Sequence, residues 1–131
     1  MSSVGYLGPK GTFTELAAQE YKGEVADYLP YNDIKVLVKA VIKGEVDKAV
    51  VPIENSLQGA VTLTLDLLLK YDIEIAQEII IPITHSLLVH DGVKDLSRLE
   101  HISSHPQALA QCRAFIDEYL DVRIHTTDST P

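Results

Sequence analysis

Three consecutive side chains carry the densest chemistry in this sequence: the carboxyl of Glu54, the amide of Asn55 and the hydroxyl of Ser56. They follow the apolar run Val50-Val51-Pro52-Ile53. If that run is a buried strand, they stand at its carboxyl end, where open α/β sheets take their ligands. Delivered together, such groups accept, donate and exchange protons with one small molecule. The competing reading is a polar loop in which Asn55 or Ser56 caps the next helix. A second candidate lies upstream, where Gly8-Pro9-Lys10-Gly11-Thr12 follows a short apolar run and precedes Phe13-Thr14-Glu15. Thr12, with Glu15 three residues later, has the form of a capping box. A strand, a glycine turn and a helix start leave backbone N–H groups free to face an anion, and Lys10 adds a positive charge. The Gly-Lys-Ser/Thr ending of a phosphate-binding P-loop is missing, so a tight structural turn competes with anion binding.

The elements that must position these groups alternate. Residues 4–7 read as a first strand, 25–29 as a second ended by Pro30, and 47–53 as a third. Between them, a helix starts at Thr12. Another, capped by Asn32 or Asp33, runs through Lys43 with Ile34, Leu37, Val38, Val41 and Ile42 inward, and Gly44 stops it. Residues 60–71 read as a third helix with Val61, Leu65, Leu68 and Leu69 inward. Strands alternating with helices imply right-handed crossovers and a parallel sheet. The loops after the first and third strands then emerge on the same sheet edge, which places the glycine turn near Glu54–Asn55.

Residues 73–89 form a long apolar stretch with Pro82 inside it. Since proline cannot donate to a ladder, two strands with a crossing at 81–84 are expected rather than one. His85 and His90 read as structural or exposed rather than catalytic. A short strand at 99–103 leads to Ser104-His105-Pro106-Gln107, a helix start with Ser104 or His105 at the cap and proline in the first turn. Leu109, Cys112, Phe115, Ile116, Tyr119 and Leu120 form one apolar stripe, which makes Cys112 a core thiol. Gln107 and Gln111 share another face, usually a solvated one. A strand follows at 122–126, and Ser129-Thr130-Pro131 has the form of a further helix cap. A domain seldom stops there, so a truncated domain is expected.

Composition bounds the rest. Apolar residues make up 46% of the 131 and charged residues 23%, as in a globular protein. The net charge of −8, with lysines and arginines scattered, argues against nucleic acid as a partner. No basic n-region with an apolar segment stands at the N-terminus, and no run approaches the roughly 20 apolar residues of a membrane span. One cysteine excludes an intramolecular disulfide and a multi-cysteine metal site. A soluble, cytoplasmic α/β protein is the expectation.

Gly8-Pro9-Lys10-Gly11-Thr12-Phe13, Val51-Pro52-Ile53-Glu54-Asn55-Ser56 and Ser104-His105-Pro106-Gln107-Ala108-Leu109-Ala110-Gln111-Cys112, in that order, resemble the prephenate dehydratase family. The resemblance implies a two-lobed, periplasmic-binding-protein-like (type II) α/β fold with the active site between the lobes. Residues 1–81 would be the first lobe and 82–131 part of the second, the return crossing being incomplete. It implies conversion of prephenate to phenylpyruvate in phenylalanine biosynthesis, with loss of water and carbon dioxide, no metal or organic cofactor, and a homodimer or larger oligomer. Carried over by motif, Glu54 and Asn55 match the acidic–amide pair of the site, and Ser104 and Gln111 match its second-lobe polar residues. Lys10, Gly11, Thr12, Ser56 and Gln107 fall within family motifs as substrate contacts. Ser129 and Thr130 match the start of a Ser-Thr motif whose following alanines are absent. The family's Thr-Arg-Phe motif, which holds its catalytic threonine, has no counterpart here, nor has the phenylalanine-binding ACT domain that many members carry.

The implied reaction needs a proton donor at the leaving hydroxyl, an effect of about 10²–10⁴-fold in rate. Glu54 qualifies only if burial favours its protonated form; Asn55, Ser104 and Gln111 are expected to position the substrate. An isolated chain without the threonine is expected to be nearly inactive. Two rival readings share these motifs or this fold: arogenate dehydratase, and a non-enzymatic lobe that binds a small acid.

Overall fold

In the computed structural model, which describes residues 2–56 and 59–127, the first sheet is built around β1 (Ser2–Leu7). Side chains alternate across a strand, so β1 serves two layers. Val4 and Tyr6 are fully buried and pack with Ala18 of α1 (Phe13–Gln19). On the opposite face, Leu7 packs with Ile34 and Val38 of α2 (Ile34–Ile42) and with Leu67 of α3 (Thr62–Lys70). Gly5 lies under α2: a Cβ there would come within 2.5 Å of Leu37 Cδ1 and 3.1 Å of the Tyr31 ring. A glycine at that position lets helix and sheet approach.

β2 (Val25–Tyr31) and β3 (Lys48–Val50) flank β1 in the order β2-β1-β3, all parallel, with Tyr6 opposite both Pro30 and Val50. The parallel sheet is the one expected. Strand boundaries differ: β1 begins at Ser2 rather than Val4, and β3 at Lys48 rather than Asp47. β2 runs through Pro30 to Tyr31, which an edge strand tolerates because its outer N–H groups need no partner. β3 stops at Val50 rather than Ile53, because only Lys48, Ala49 and Val50 pair with β1. Asp33 caps α2 by accepting from the Lys35 N–H at 2.7 Å and the Val36 N–H at 3.1 Å. The inward face of α2 is Ile34, Leu37, Val38 and Ala40; Val41 is half-buried and Ile42 is exposed.

The expected inward set of α3 is out of phase. Thr64 and Leu67 are buried, whereas Leu65 and Leu69 are exposed. Thr64 can face inward because its hydroxyl donates to the Pro52 carbonyl at 2.7 Å, which satisfies both polar groups. The two strands expected within residues 73–89 are absent: residues 72–89 have neither helix nor ladder. A strand exists only where a neighbour takes its hydrogen bonds, and no described strand pairs with this segment. Its apolar side chains include exposed Ile75, Ile80 and Leu88.

The chain divides into two compact units, Met1–Pro82 and Ile83–Pro131. In the second, β6 (His101–Ser104) and β7 (Arg123–Thr126) pair in parallel, with Ile102 opposite Ile124. Between them the single expected helix is two, α4 (Pro106–Gln111) and α5 (Arg113–Tyr119), broken at Cys112 with φ −101° and ψ 9°. The break shifts the apolar stripe. Ala108, Leu109 and Ile116 are buried and Cys112 is half-buried. Phe115 and Tyr119 are exposed, their ring centroids 5.0 Å apart. In the first unit a short antiparallel ladder joins β4 (Glu54–Asn55) and β5 (Gly59–Ala60).

Candidate functional site

In the first unit the two candidate segments share one edge. β1 lies between β2 and β3, so the chain leaves β1 and β3 side by side at their carboxyl ends. That point, where the strand order reverses, is where open parallel sheets form their ligand crevice. Residues 8–12 and 51–56 therefore leave the sheet at neighbouring positions, as the sequence implied.

The glycine turn is held from within. The Gly8 N–H donates to the Tyr31 carbonyl at 2.6 Å, and the Gly8–Pro9 bond is cis. Gly11 has φ +87°, a conformation that L side chains rarely adopt. The Thr12 hydroxyl donates to the Pro9 carbonyl at 2.9 Å and accepts from the Glu15 N–H at 3.4 Å. The expected cap is thus present, but the Glu15 side chain does not close a capping box. One carboxylate oxygen accepts from the Gly11 N–H at 3.2 Å, and the other accepts from the Tyr6 hydroxyl at 2.7 Å.

Of the two readings of this turn, these contacts favour the tight structural one. The Gly8 and Gly11 N–H groups are already paired, and a carboxylate occupies the turn. The Tyr6 hydroxyl, then the Gly11 N–H, hold the Glu15 carboxyl below its ordinary range, and nearby Lys10 adds to the effect. Tyr6 is pushed up to about 12, first by its burial and then by Glu15. Lys10 and Gly11 are exposed and Thr12 is half-buried. The observed work of Thr12 is to fold the turn.

Glu54, Asn55 and Ser56 are not delivered as one cluster. Glu54 pairs with Ala60 and Asn55 with Gly59 in the β4–β5 ladder, and neighbouring strand residues point to opposite faces. Glu54 is exposed, Asn55 half-buried and Ser56 exposed. The helix-cap alternative also fails: the N-cap of α3 is Val61, with no side-chain bond. The segment is tied down instead by the Thr64–Pro52 bond and by the Val61 N–H donating to the Ile53 carbonyl at 2.8 Å.

In the second unit, Ser104 ends β6 and is half-buried; its carbonyl accepts from the Thr127 N–H at 2.8 Å. His105 caps α4, its Nδ1 accepting from the Gln107 N–H at 3.1 Å, and Pro106 fills the first helical position. Gln107 and Gln111 are both half-buried on α4. The Gln111 side-chain oxygen lies 2.6 Å from His85 Nε2. Sequence reasoning left His85 out of the site, because nothing in its spacing links it to α4. Tyr6, Glu15 and Thr64 were likewise missed as supports; of these, only Glu15 had a signal, the capping-box spacing. Ser129 and Thr130 lie outside the described residues.

Among the described residues no group of three or more histidine, cysteine, aspartate or glutamate side chains could hold a metal ion. No described helix is long and apolar enough to cross a membrane. Two shallow depressions in the second unit, one lined by Glu100, His101, Asp121, Val122 and Arg123, the other by Pro106, Leu109, Ala110, Arg113, Ile124 and Thr126, include none of the candidate residues.

Residues 4–131 match the family profile of prephenate dehydratase. The chain is 43% identical over 129 residues to the bifunctional chorismate mutase/prephenate dehydratase of Aquifex aeolicus, covering 97% of this chain and 35% of that protein. It is 41% identical over 118 residues to the prephenate dehydratase of Bacillus subtilis, covering 88% of this chain and 41% of that one. The crystal structure of the prephenate dehydratase of Arthrobacter aurescens, in complex with L-Phe, superposes with a TM-score of 0.81 at 39% identity, over 97% of this chain and 42% of the other. The Staphylococcus aureus prephenate dehydratase gives a TM-score of 0.63 at 27% identity, over 97% and 48%. The chain spans less than half the length of each of these relatives.

Proposed function

The chain belongs to the prephenate dehydratase family, and from that premise we propose that the intact protein converts prephenate to phenylpyruvate in L-phenylalanine biosynthesis. The observation that carries the reading is the likeness to the Arthrobacter enzyme, with a TM-score of 0.81 at 39% identity across 97% of this chain. The two-lobed, periplasmic-binding-protein-like arrangement is part of the proposal. Its support is the division into two α/β units, each with a parallel sheet.

Prephenate loses its ring hydroxyl as water and its ring carboxylate as carbon dioxide, and aromatisation drives the reaction downhill. The enzyme's task is to assist departure of the hydroxyl and to hold the reactive conformation. Asn55, Ser104 and Gln111 are assigned to hydrogen bonding with the substrate, and Glu54 to orienting it. Lys10, Gly11, Thr12, Ser56, Gln107, Ser129 and Thr130 are assigned to its periphery. The proton donor at that hydroxyl, worth about 10²–10⁴-fold in rate, or roughly 3–5 kcal/mol, is assigned to the threonine of the family's Thr-Arg-Phe motif rather than to Glu54, which is exposed in this chain. A dianion also needs positive partners. Lys10 alone is a weak one, since the Glu15 carboxylate sits at the same turn. No metal or organic cofactor is invoked.

Phenylpyruvate formation is the test. The intact protein should turn over prephenate, and faster than arogenate, while the 131-residue chain should be nearly inactive. Full turnover by the chain would remove the need for further residues. Preference for arogenate would transfer the assignment to that substrate, and tight binding of an unrelated acid without turnover would favour a solute-binding role.

A further inference from the structure

We propose that His85 is a positioning residue that fixes the Gln111 amide as a hydrogen-bond donor to substrate; the role rests on the functional reading above. Gln111 is the last residue of α4, immediately before the chain leaves helical geometry at Cys112. A long unbranched side chain at such a place has many rotamers, and ordering it only when ligand arrives weakens binding. Here the side chain is already held. Its oxygen lies 2.6 Å from His85 Nε2, shorter than the usual N–H···O separation of about 2.9–3.0 Å. An amide oxygen only accepts, so His85 Nε2 carries the proton in this bond.

With the oxygen engaged, what remains is the NH₂ group with its two donors. Among the described residues that group makes no hydrogen bond, and no side-chain nitrogen or oxygen is left buried and unpaired. The NH₂ is therefore not a buried unsatisfied group, and it remains available as a donor. Two N–H donors on one nitrogen suit an oxygen-rich ligand, and prephenate offers carboxylate and hydroxyl oxygens. Without His85 the amide could turn over and present its acceptor instead. His85 acts through Gln111 and need not touch the substrate.

Two measurements test the role. In nitrogen-resolved NMR of the 131-residue chain, the His85 ring should be protonated at Nε2, and Gln111→Ala should shift its nitrogen resonances. Calorimetry with prephenate on the intact protein should show His85→Ala weakening binding about tenfold, with part recovered in His85→Asn, whose amide can donate in place of the ring. Gln111→Ala should lose a similar factor, and the double variant should lose little more, as expected of coupled residues. Gln111→Glu should keep a proton on His85 Nε2, because it keeps the acceptor, yet lose prephenate binding. A ring protonated only at Nδ1, resonances unmoved by Gln111→Ala, or additive losses would overturn the positioning role while leaving the prephenate assignment standing. Failure of the wild-type protein to bind prephenate would sink both.

Discussion

The Thr64 hydroxyl gives the sharpest test of how the first unit holds its candidate segment. Thr64 is 3% exposed, and its Oγ1 lies 2.7 Å from the Pro52 carbonyl, just ahead of Glu54 and Asn55. Thr64→Val keeps the shape of the side chain, so almost no cavity is created; what changes is one hydrogen bond. Its loss leaves the Pro52 carbonyl without that partner in a half-buried position, at a cost of about 1–3 kcal/mol. Burying a methyl in place of a hydroxyl offsets part of this, and the expected net loss is about 1–2 kcal/mol. For a unit of this size each kcal/mol corresponds to roughly 4–8 °C in Tm. The chain has no tryptophan, so urea unfolding is best followed by far-UV circular dichroism. Amide exchange at Val61, whose N–H bonds the Ile53 carbonyl, reports the segment directly and should accelerate. The exposed Thr62→Val is the control, expected within about 0.5 kcal/mol of wild type. A Thr64→Val protein with an unchanged urea midpoint and unchanged Val61 exchange would refute the claim that this bond anchors the loop.

Three further outcomes are expected. Gly5→Ala should destabilise by about 1–3 kcal/mol through overpacking against Leu37, read as a lower urea midpoint; a variant as stable as wild type would show that α2 can move away freely. Asp33→Ala should cost about 1 kcal/mol by removing the α2 cap, and Asp33→Asn should retain most of that stability. The pH dependence should have two limbs. Folding lowers the Glu15 carboxyl, chiefly through the Tyr6 hydroxyl, and lowers Asp47, chiefly through the Ser3 N–H. The folded state therefore releases these protons more readily than the unfolded state. Their contribution is complete above the ordinary carboxyl range of about 4 and is lost as pH falls through the lowered values. Tyr6 is shifted the other way, to about 12, so its contribution is complete below about 10 and is lost as pH rises from there through 12. Glu15→Gln should shallow the acid limb and bring the Tyr6 titration, followed by tyrosinate absorbance, to lower pH. An unchanged Tyr6 titration would break the proposed link between the two.

Much of the frame could be read from residue order alone. Alternating apolar runs and helix caps were enough to anticipate the parallel sheet and the shared edge of residues 8–12 and 51–56, because crossover handedness leaves few topologies open. Asp33, Thr12 and His105 were legible as caps, since a cap is a local matter between a side chain and the next N–H groups. The three motifs pointed to the family, because order and spacing along a chain are sequence properties.

What the tertiary structure alone decided concerns direction and partnership. Glu54 and Asn55 are adjacent in sequence yet face opposite ways, because a short ladder with Gly59 and Ala60 sets their pleat. Glu15 was visible as a capping residue, but its carboxylate turns to Gly11 and to buried Tyr6, which converts an apparent anion site into a turn that is already filled. Thr64 enters the core because a carbonyl from a distant loop meets its hydroxyl. His85 reaches Gln111 across twenty-six positions. Sequence periodicity records which face of an element avoids water; it carries no record of which polar group arrives from elsewhere to satisfy another, and that meeting is fixed only when the chain is packed.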